Sequence, residues 1–369
     1  MYIRYLFFFI LFPLIVIVGE YLIYVLFNRL NLFQYSYIKN TFVVFGILFP
    51  IMFLGAMTYG IKHFSVLNSW FYTIGGVWLS LLNYIVVITL IAALLMLLNN
   101  YLNLNIPVQG IMFVLIAIVF ILITYGIYKA NNPKIVRFEI KSEALAPLWK
   151  DKKILIVSDI HLGETRREKF MQKIVDLINS EKPDIVFNLG DLIDGPSFPY
   201  AKAFAPLAEL NPPLGNYYVE GNHEGYSGEY DLFKENFPKN LNDITSSKVV
   251  VNGTQIIGLP FSMDRTRDVL KKELELVSYD KTKPSIILLH DPKETPILAE
   301  NNASLVLSGH THDGQFFPFT MIVKQIYGKY AHGVVYTNNT ASVTSSGVGT
   351  AVSPIRINTE AEILVLQIK

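Results

Sequence analysis

An aspartate and a histidine, Asp159 and His161, stand two positions apart directly after a short apolar run at residues 154–157. The run is mostly β-branched and predicts a buried strand. In extended backbone, residues i and i+2 point to the same side, so both side chains are predicted to reach one point beyond the strand's carboxyl end. A carboxylate and a neutral imidazole that converge on one point suit a divalent metal ion.

Four further apolar runs end in side chains of the same kind, all in the same direction along the chain. Their endings are Gly190-Asp191 with Asp194, Gly221-Asn222-His223-Glu224, His290-Asp291, and Gly309-His310-Thr311-His312. Each motif taken alone has a structural alternative, in which the aspartate caps a helix and the histidine lies in a loop. Five strand ends that all supply metal-competent side chains favour one shared centre, at the edge where open α/β sheets bind ligands.

This ordered set of motifs resembles the calcineurin-like metallophosphoesterase superfamily, from about residue 154 to the C-terminus. The resemblance implies an α/β fold, a two-sheet sandwich, that holds two divalent metal ions. It implies that the first ion is bound by Asp159, His161, Asp191 and His312, and the second by Asp191, Asn222, His290 and His310. Asp191 would then bridge the ions, with Gly190 and Gly309 allowing sharp backbone turns ahead of the ligands.

The same resemblance implies hydrolysis of a phosphoester bond, because two ions and a hydroxide held between them supply a nucleophile and neutralise the phosphoryl oxygens. His223 and Asp191 are the predicted catalytic residues, and His223 would contact the phosphoryl oxygen or protonate the leaving group. Glu224 is expected to orient the His223 ring, with Asp194 and Asp291 behind the ligands. The donor types accept Mn, Fe, Zn or Co, and we expect Mn.

The first third of the chain carries very little charge, and 51% of all residues are hydrophobic. Up to residue 130 the charged residues are Arg4, Glu20, Arg29, Lys39, Lys62 and Lys129. Four apolar runs in this part, near residues 5–27, 42–61, 76–98 and 106–128, are long enough to cross a bilayer as helices. We therefore predict a four-helix transmembrane domain at residues 1–130, followed by the catalytic domain at residues 131–369.

The distribution of basic residues sets the expected orientation in the membrane. With four spans, the N-terminus, the second connection and the catalytic domain share one side. That side has the larger number of basic residues near span ends, namely Arg4, Lys62, Lys129 and Lys134 against Arg29 and Lys39. Such a bias favours the cytoplasmic face, so we expect a multi-pass protein of the cell membrane with a cytoplasmic catalytic domain. The absence of cysteine fits either compartment.

Three later segments indicate a particular branch of the superfamily. They are Gly314-Gln315, residues 345–350 and Pro354-Ile355-Arg356. They resemble a membrane-associated bacterial branch of the superfamily, which includes phosphodiesterases acting on nucleotide-linked lipids. Asp313 departs from that pattern, because the branch commonly has glycine there, and the departure leaves the substrate class open. Arg356 is a candidate either for a phosphate contact or for a structural ion pair.

We expect membrane lipids as partners and a lipid-linked phosphodiester or pyrophosphate as the substrate. The short linker near residue 132 should keep the catalytic domain at the head groups. There Phe198, Tyr200 and the aromatic residues of 316–319 would either line the site and receive acyl chains or pack beneath the sheets. The alternatives are a soluble substrate such as a nucleotide, or a catalytically silent sensor or scaffold. No nucleic-acid partner is expected, because the catalytic domain is slightly acidic and has no basic stripe with interleaved aromatics.

Overall fold

The computed structural model describes residues 11–60, 64–194, 199–227 and 230–369. The chain divides into two compact units. The first unit ends at Ile127 and also includes the later segment Val352–Ile355. The second unit consists of Tyr128–Ala351 and Arg356–Lys369. The domain boundary at residue 130 stays a prediction, and nothing in the sequence indicated that Val352–Ile355 belongs with the N-terminal helices.

Among the described residues, the N-terminal part contains the helices α1 (Phe12–Arg29), α2 (Ser36–Gly60), α3 (Val66–Leu102) and α4 (Val108–Asn131). By length and apolar composition, α2, α3 and α4 are each able to cross a membrane. The predicted count of four spans is not confirmed. The described part of α1 is not among these three helices, and residues 1–10 lie outside the described part of the chain.

The segment Val352–Ile355 packs on α3 within the first unit. The Ser353 hydroxyl donates a hydrogen bond to the carbonyl oxygen of Gly76 (2.9 Å) and contacts the hydroxyl of Ser80. A Cβ atom at Gly76 would lie 2.8 Å from the carbonyl oxygen of Val352, so this close approach requires glycine. The segment is therefore held by direct contacts with the helix rather than left as a free loop.

Two six-stranded sheets form the second unit and confirm the predicted two-sheet α/β architecture. The order of the first is β1 (Lys134–Ile140), β12 (Glu362–Ile368), β2 (Lys153–Val157), β3 (Ile185–Asn188), β4 (Asn216–Tyr218) and β5 (Leu241–Asp243). The order of the second is β10 (Gly333–Thr337), β11 (Thr340–Thr344), β9 (Leu305–Ser308), β8 (Ser285–Leu288), β7 (Thr254–Gly258) and β6 (Ser247–Val251). Strands β2, β3 and β4 are parallel, as are β7, β8 and β9.

Eight α-helices belong to the described residues of the second unit, and several of them pack on the sheets. The eight are α5 (Ala146–Trp149), α6 (Glu168–Glu181), α7 (Tyr200–Phe204), α8 (Asn222–Ser227), α9 (Tyr230–Lys234), α10 (Arg267–Leu276), α11 (Thr295–Glu300) and α12 (Phe319–Tyr327). Apolar side chains of both sheets fill the space between them, such as Phe187 from the first sheet and Leu288 from the second. A second apolar cluster packs α6 and α7 on the first sheet, and a third packs α10 and α11 on the second.

Candidate metal centre

The five predicted motifs follow the carboxyl ends of β2, β3, β4, β8 and β9. Of these strands, β2, β3, β8 and β9 are almost entirely buried, as expected for parallel strands covered on both faces. The side chains at their ends are also buried: Asp159, His161, Asp191 and His290 are each 2% exposed or less. The motifs thus bring polar and ionisable groups into a desolvated edge of the sandwich.

The extended backbone expected between Asp159 and His161 is wrong. Both residues have left-handed backbone conformations, with φ of 55° and 53°. Asp191, His310 and His312 share this conformation, with φ of 51°, 70° and 50°. Tight turns immediately after the strands, rather than alternation along them, therefore aim these side chains inward. Non-glycine residues in this region are uncommon and cluster at functional sites.

Asp159, His161 and His312 form the first cluster of buried donors. The Nε2 atoms of His161 and His312 are 3.0 Å apart, and Nε2 of His312 lies 3.4 Å from Oδ1 of Asp159. Two nitrogens bound to one ion at about 2.1 Å stand about 3.0–3.4 Å apart when the angle between them is about 90–110°. The spacing of the two rings therefore fits one shared metal ion.

Asp191, His290 and His310 form the second cluster, and Asn222 adjoins it. Nε2 of His290 lies 3.1 Å from Oδ2 of Asp191 and 3.1 Å from Oδ1 of Asn222. The same Oδ2 of Asp191 is 3.7 Å from Nε2 of His161 in the first cluster. One carboxylate oxygen thus lies between the two clusters, where a bridging ligand would be.

The seven side chains predicted as metal ligands therefore all lie in or beside the two clusters. Their donors are imidazole nitrogens, carboxylate oxygens and one amide oxygen, a mixed set that suits divalent Mn, Fe, Zn or Co. The residues present fit two divalent ions. Which residue binds which ion stays a prediction.

The electrostatics of the centre keep its carboxylate ionised. Burial by itself would raise the pKa of Asp191, but the histidines beside it, His290 foremost, hold that pKa well below its usual value. Burial would also lower the pKa of His290, yet the Asp191 carboxylate outweighs burial and raises it to about 10. Burial, with His161 and Arg356 nearby, holds the pKa of His312 well below its usual value. A low pKa favours the neutral ring that a metal ligand requires at His312, whereas His290 would have to release a proton to bind an ion.

Asp194 orients two histidine rings. Its Oδ1 lies 3.1 Å from Nδ1 of His161 and 3.4 Å from Nδ1 of His223. A hydrogen bond from Nδ1 of His161 to this carboxylate leaves Nε2 as the nitrogen that can bind a metal ion. The His161 side chain is fully buried, whereas that of His223 is 23% exposed. Asp194 thus lies behind the predicted ligands, and His223 is the more exposed of the two rings that it contacts.

Glu224 has a role that the sequence analysis missed. Its buried carboxylate accepts hydrogen bonds at 2.6–3.3 Å from the backbone N–H groups of Asp191, Leu192, Ile193 and Gly221. It fixes the loop that presents Asp191, while the His223 ring is oriented by Asp194. Because α8 begins at Asn222, the bond to Gly221 is the reach-back contact of a capping box, in which the third helical residue accepts from the residue before the helix. Gly221 has no side chain to form the other half of the box, so the sequence carried only the glutamate as a signal.

Arg356 is neither of the alternatives expected for it. Its fully buried guanidinium donates at 2.5–3.2 Å to the carbonyl oxygens of His312, Ser346, Gly347, Gly349 and Glu360. Nη2 also lies 3.2 Å from Nδ1 of His312. Arg356 therefore gathers the backbone around His312, and burial lowers its own pKa to about 10.

Gly190 and Gly309 act in two different ways. Gly190 has φ of +89°, a left-handed conformation that glycine adopts readily. Gly309 instead permits a close approach, since a Cβ atom there would lie 2.5 Å from Oδ2 of Asp159. The next residue, His310, donates its backbone N–H to that same oxygen at 3.0 Å. The two glycines thus let the loops after β3 and β9 close around the carboxylates.

The aromatic residues predicted to line the site divide between core and surface. Tyr200 and Phe316 are buried, at 9% and 6% exposed, which is the alternative of packing beneath the sheets. Phe317 and Phe319 are exposed, at 40% and 47%. Phe198 lies outside the described residues. Of this group, therefore, Phe317 and Phe319 are the exposed described side chains, and the Phe319 ring also packs against that of Phe316, with centroids 5.3 Å apart.

Comparison with known proteins agrees with this geometry. The family described as calcineurin-like phosphoesterase matches residues 152–314. An uncharacterized metallophosphoesterase of Campylobacter jejuni is 32% identical over 257 residues, which cover 68% of this chain and 68% of that protein. One from Aquifex aeolicus is 31% identical over 257 residues, covering 68% of this chain and 98% of that protein. A transmembrane protein with metallophosphoesterase domain from Danio rerio is 29% identical over 273 residues, covering 68% of this chain and 60% of that protein.

Proposed function

Because the chain belongs to the calcineurin-like metallophosphoesterase family, we propose that it is a metal-dependent phosphohydrolase anchored in the cell membrane. In this proposal it cleaves a phosphodiester or pyrophosphate bond of a lipid-linked substrate. The main support for a metal-dependent hydrolase is the position of Oδ2 of Asp191, which lies 3.1 Å from Nε2 of His290 and 3.7 Å from Nε2 of His161. One carboxylate shared by two histidine clusters suits a pair of ions held side by side.

When bound, two divalent ions supply a hydroxide at neutral pH and neutralise the charge on the phosphoryl oxygens. The protein's own residues do the rest. Oδ1 of Asp191 accepts the backbone N–H of His223 at 2.9 Å, which ties Asp191 to the start of α8, where the second proposed catalytic residue lies. With Nδ1 of His223 beside Asp194, Nε2 is the nitrogen from which the ring would donate a proton to the leaving oxygen.

The covalent connection to α4 supports a lipid-linked substrate. That helix is able to cross a membrane, and only Asn132 and Pro133 separate its end at Asn131 from β1 at Lys134. A site tethered so closely to a span would meet lipid head groups before any dilute soluble ester. The Danio rerio relative is also named a transmembrane protein. We place the site on the cytoplasmic side and propose no nucleic-acid partner.

The test is hydrolysis by the purified full-length protein in phospholipid vesicles with added Mn²⁺. It is offered a lipid-linked pyrophosphate, a lipid phosphodiester and a small chromogenic phosphodiester. Asp191→Asn is the matched control, because the amide has nearly the same volume and keeps an oxygen for the His223 N–H but lacks the charge. We expect the variant to lose hydrolysis of every substrate. It should also bind fewer metal ions than the native protein, for which about two per chain are expected.

Three outcomes would overturn different parts of the proposal. Full activity in Asp191→Asn would remove that residue from the bridge. Hydrolysis of the chromogenic ester without hydrolysis of either lipid would favour a soluble substrate. Two bound ions with no hydrolysis of any ester would favour a sensor or scaffold.

A further inference from the structure

Helix α12 (Phe319–Tyr327) turns an apolar face away from the protein. Phe319, Ile322 and Ile326 follow the i, i+3, i+7 spacing of one helix face and are 47%, 45% and 59% exposed. The inner side packs through Thr320, which is buried, and through Val323 and Tyr327, which are partly buried. A helix on a soluble domain normally keeps its large apolar residues against the core, so three of them on the outer side are unusual. We call Phe319, Ile322 and Ile326 the outer face of α12.

Two further apolar side chains near the outer face are exposed. Phe317 precedes the helix and is 40% exposed, and Met321, on another side of the helix, is 64% exposed. An exposed apolar face on a folded domain indicates a surface that contacts another apolar phase. Between residues 314 and 359 there is no aspartate or glutamate, and Lys329, just past the helix, is exposed. Lys324 lies on the opposite side of the helix, where its charge acts on the Asp313 carboxyl group.

An apolar helix face with an exposed lysine at its end matches a lipid bilayer with anionic head groups. Apolar side chains enter the boundary between head groups and acyl chains, and lysine stems reach back to the phosphates. The rest of the chain supplies the bilayer, since three helices are able to span one. The second unit starts at Tyr128, inside the last turns of α4, so it is bound covalently to a span.

The outer face is also connected to the candidate metal centre. Tyr327, the last residue of α12, packs its ring against the ring of His310, with centroids 6.2 Å apart. At the other end, Gly314 lies two residues after His312, and a Cβ atom there would lie 2.4 Å from the carbonyl carbon of Phe319. Both ends of α12 are thus packed against the loop that carries two predicted ligands.

We propose that the outer face of α12 rests in the head-group layer of the membrane, with Lys329, just past the end of the helix, at the lipid phosphates. The helix then lies in the plane of the bilayer and holds the loop of His310 and His312 next to the head groups. This deepens the proposed function, because it specifies how a lipid-linked bond reaches the ions. The membrane contact itself does not require hydrolysis, so it can be measured separately.

The chain has no cysteine, so a single engineered cysteine labels one position. Ile322→Cys and, in a second protein, Ile326→Cys carry an environment-sensitive fluorophore in the full-length protein reconstituted in vesicles of zwitterionic and anionic phospholipid. Leu276→Cys is the matched control, an apolar residue of α10 that is 83% exposed. We expect blue-shifted emission and quenching by lipids brominated on their acyl chains at 322 and 326, and quenching by aqueous iodide at 276.

Iodide quenching of all three labels, without quenching by brominated lipid, would overturn the proposal. So would labels at 322 and 326 that resist both quenchers and show energy transfer between chains, since that result would identify a second copy of the protein as the partner. If the labels report lipid contact while no lipid ester is hydrolysed, the membrane contact is supported and the proposal of a lipid-linked substrate is contradicted. The two proposals are therefore separable.

A functional measurement follows from the same geometry. Ile322→Glu combined with Ile326→Glu should leave hydrolysis of a small chromogenic phosphodiester unchanged, because neither side chain belongs to the metal centre. Hydrolysis of lipid substrate in vesicles should fall about tenfold or more, since two apolar side chains can no longer enter the membrane. Equal rates for variant and native protein on vesicle substrate would mean that α12 does not position the site at the bilayer.

Discussion

His223 and Asp191 meet through the backbone, which allows their roles to be separated. The N–H of His223 donates to Oδ1 of Asp191 at 2.9 Å, and this contact persists whatever side chain stands at 223. We expect His223→Asn to lower turnover by about 10²–10³-fold, the usual effect of removing a general acid, and to leave bound metal unchanged. Metal analysis beside single-turnover rates tests this. Loss of metal in the variant would instead place His223 among the ligands.

Arg356 should act on the metal centre through His312. Lysine keeps the positive charge but cannot reach the several carbonyl oxygens that the guanidinium gathers. We therefore expect Arg356→Lys to lower the thermal midpoint of unfolding. It should also lower the affinity for one of the two metal ions by about 10–100-fold, the usual effect of losing a group that holds a ligand in place. Metal titration followed by calorimetry measures both. Native affinity for both ions would restrict Arg356 to a role in folding.

Residue type and order were enough to predict that Asp159, His161 and Asp191 would lie close together, but not the backbone that aims them. Their left-handed φ values could not be predicted, because that conformation is imposed by loops closing from several strands. Arg356 was ambiguous for a related reason. A lone arginine gives no indication of whether carbonyl oxygens or a ligand will surround it.

At the scale of elements, the turn between β8 and α11 contains a buried carboxyl group. Glu294 is 4% exposed and lies 3.7 Å from Nη1 of Arg265. Burial raises its pKa to about 7, despite the opposing effect of Arg265, and Asp291 adds to the increase. Below the pKa of an unfolded glutamate, about 4.3, the group is protonated in both states. As pH rises from there through about 7, the native state loses stability, because its carboxyl must ionise while buried.

Glu294→Gln should remove this dependence, since the amide has no charge to bury. We expect the variant and the native protein to have similar thermal midpoints near pH 4. The midpoint of the variant should then exceed that of the native protein increasingly between about pH 5 and 8. Thermal unfolding at several pH values is the measurement. A difference in midpoint that stays constant across this pH range would show that Glu294 is ionised in the native protein throughout it, stabilised by Arg265.

The strands that precede the motifs were predictable from the sequence. The buried runs before each motif contain β-branched residues and end at glycine or a polar residue, and they became β2, β3, β8 and β9. Helix α12 was not predicted, because Thr320, Ile322, Val323 and Ile326 are β-branched residues that favour strands. Packing at its two ends, against Gly314 and His310, determines its position instead. Local preference was overruled there by tertiary contacts.

For the whole molecule, composition separated an apolar N-terminal part from a catalytic part but did not fix the number of spans. The three helices able to cross a membrane agree with three of the predicted runs. The longest, α3, has 37 residues, about 55 Å at 1.5 Å per residue, and so exceeds a hydrocarbon core of about 30 Å. Segment Val352–Ile355 could not be assigned to the first unit from sequence, because its contacts with Gly76 and Ser80 span more than half of the chain.

The orientation of the chain in the membrane is the last prediction. Basic residues near the span ends favour a cytoplasmic catalytic unit, and four spans would then place both termini in the cytoplasm. Lys369 is exposed at the end of β12, so a reporter attached there should not disturb the sheet. We expect that reporter to be protected from external protease in intact cells, and a site inserted between α1 and α2 to be cleaved. A protected reporter at Met1 would indicate four spans and an exposed one three. Cleavage at Lys369 from outside would reverse the orientation and make lipids of the outer leaflet the substrates.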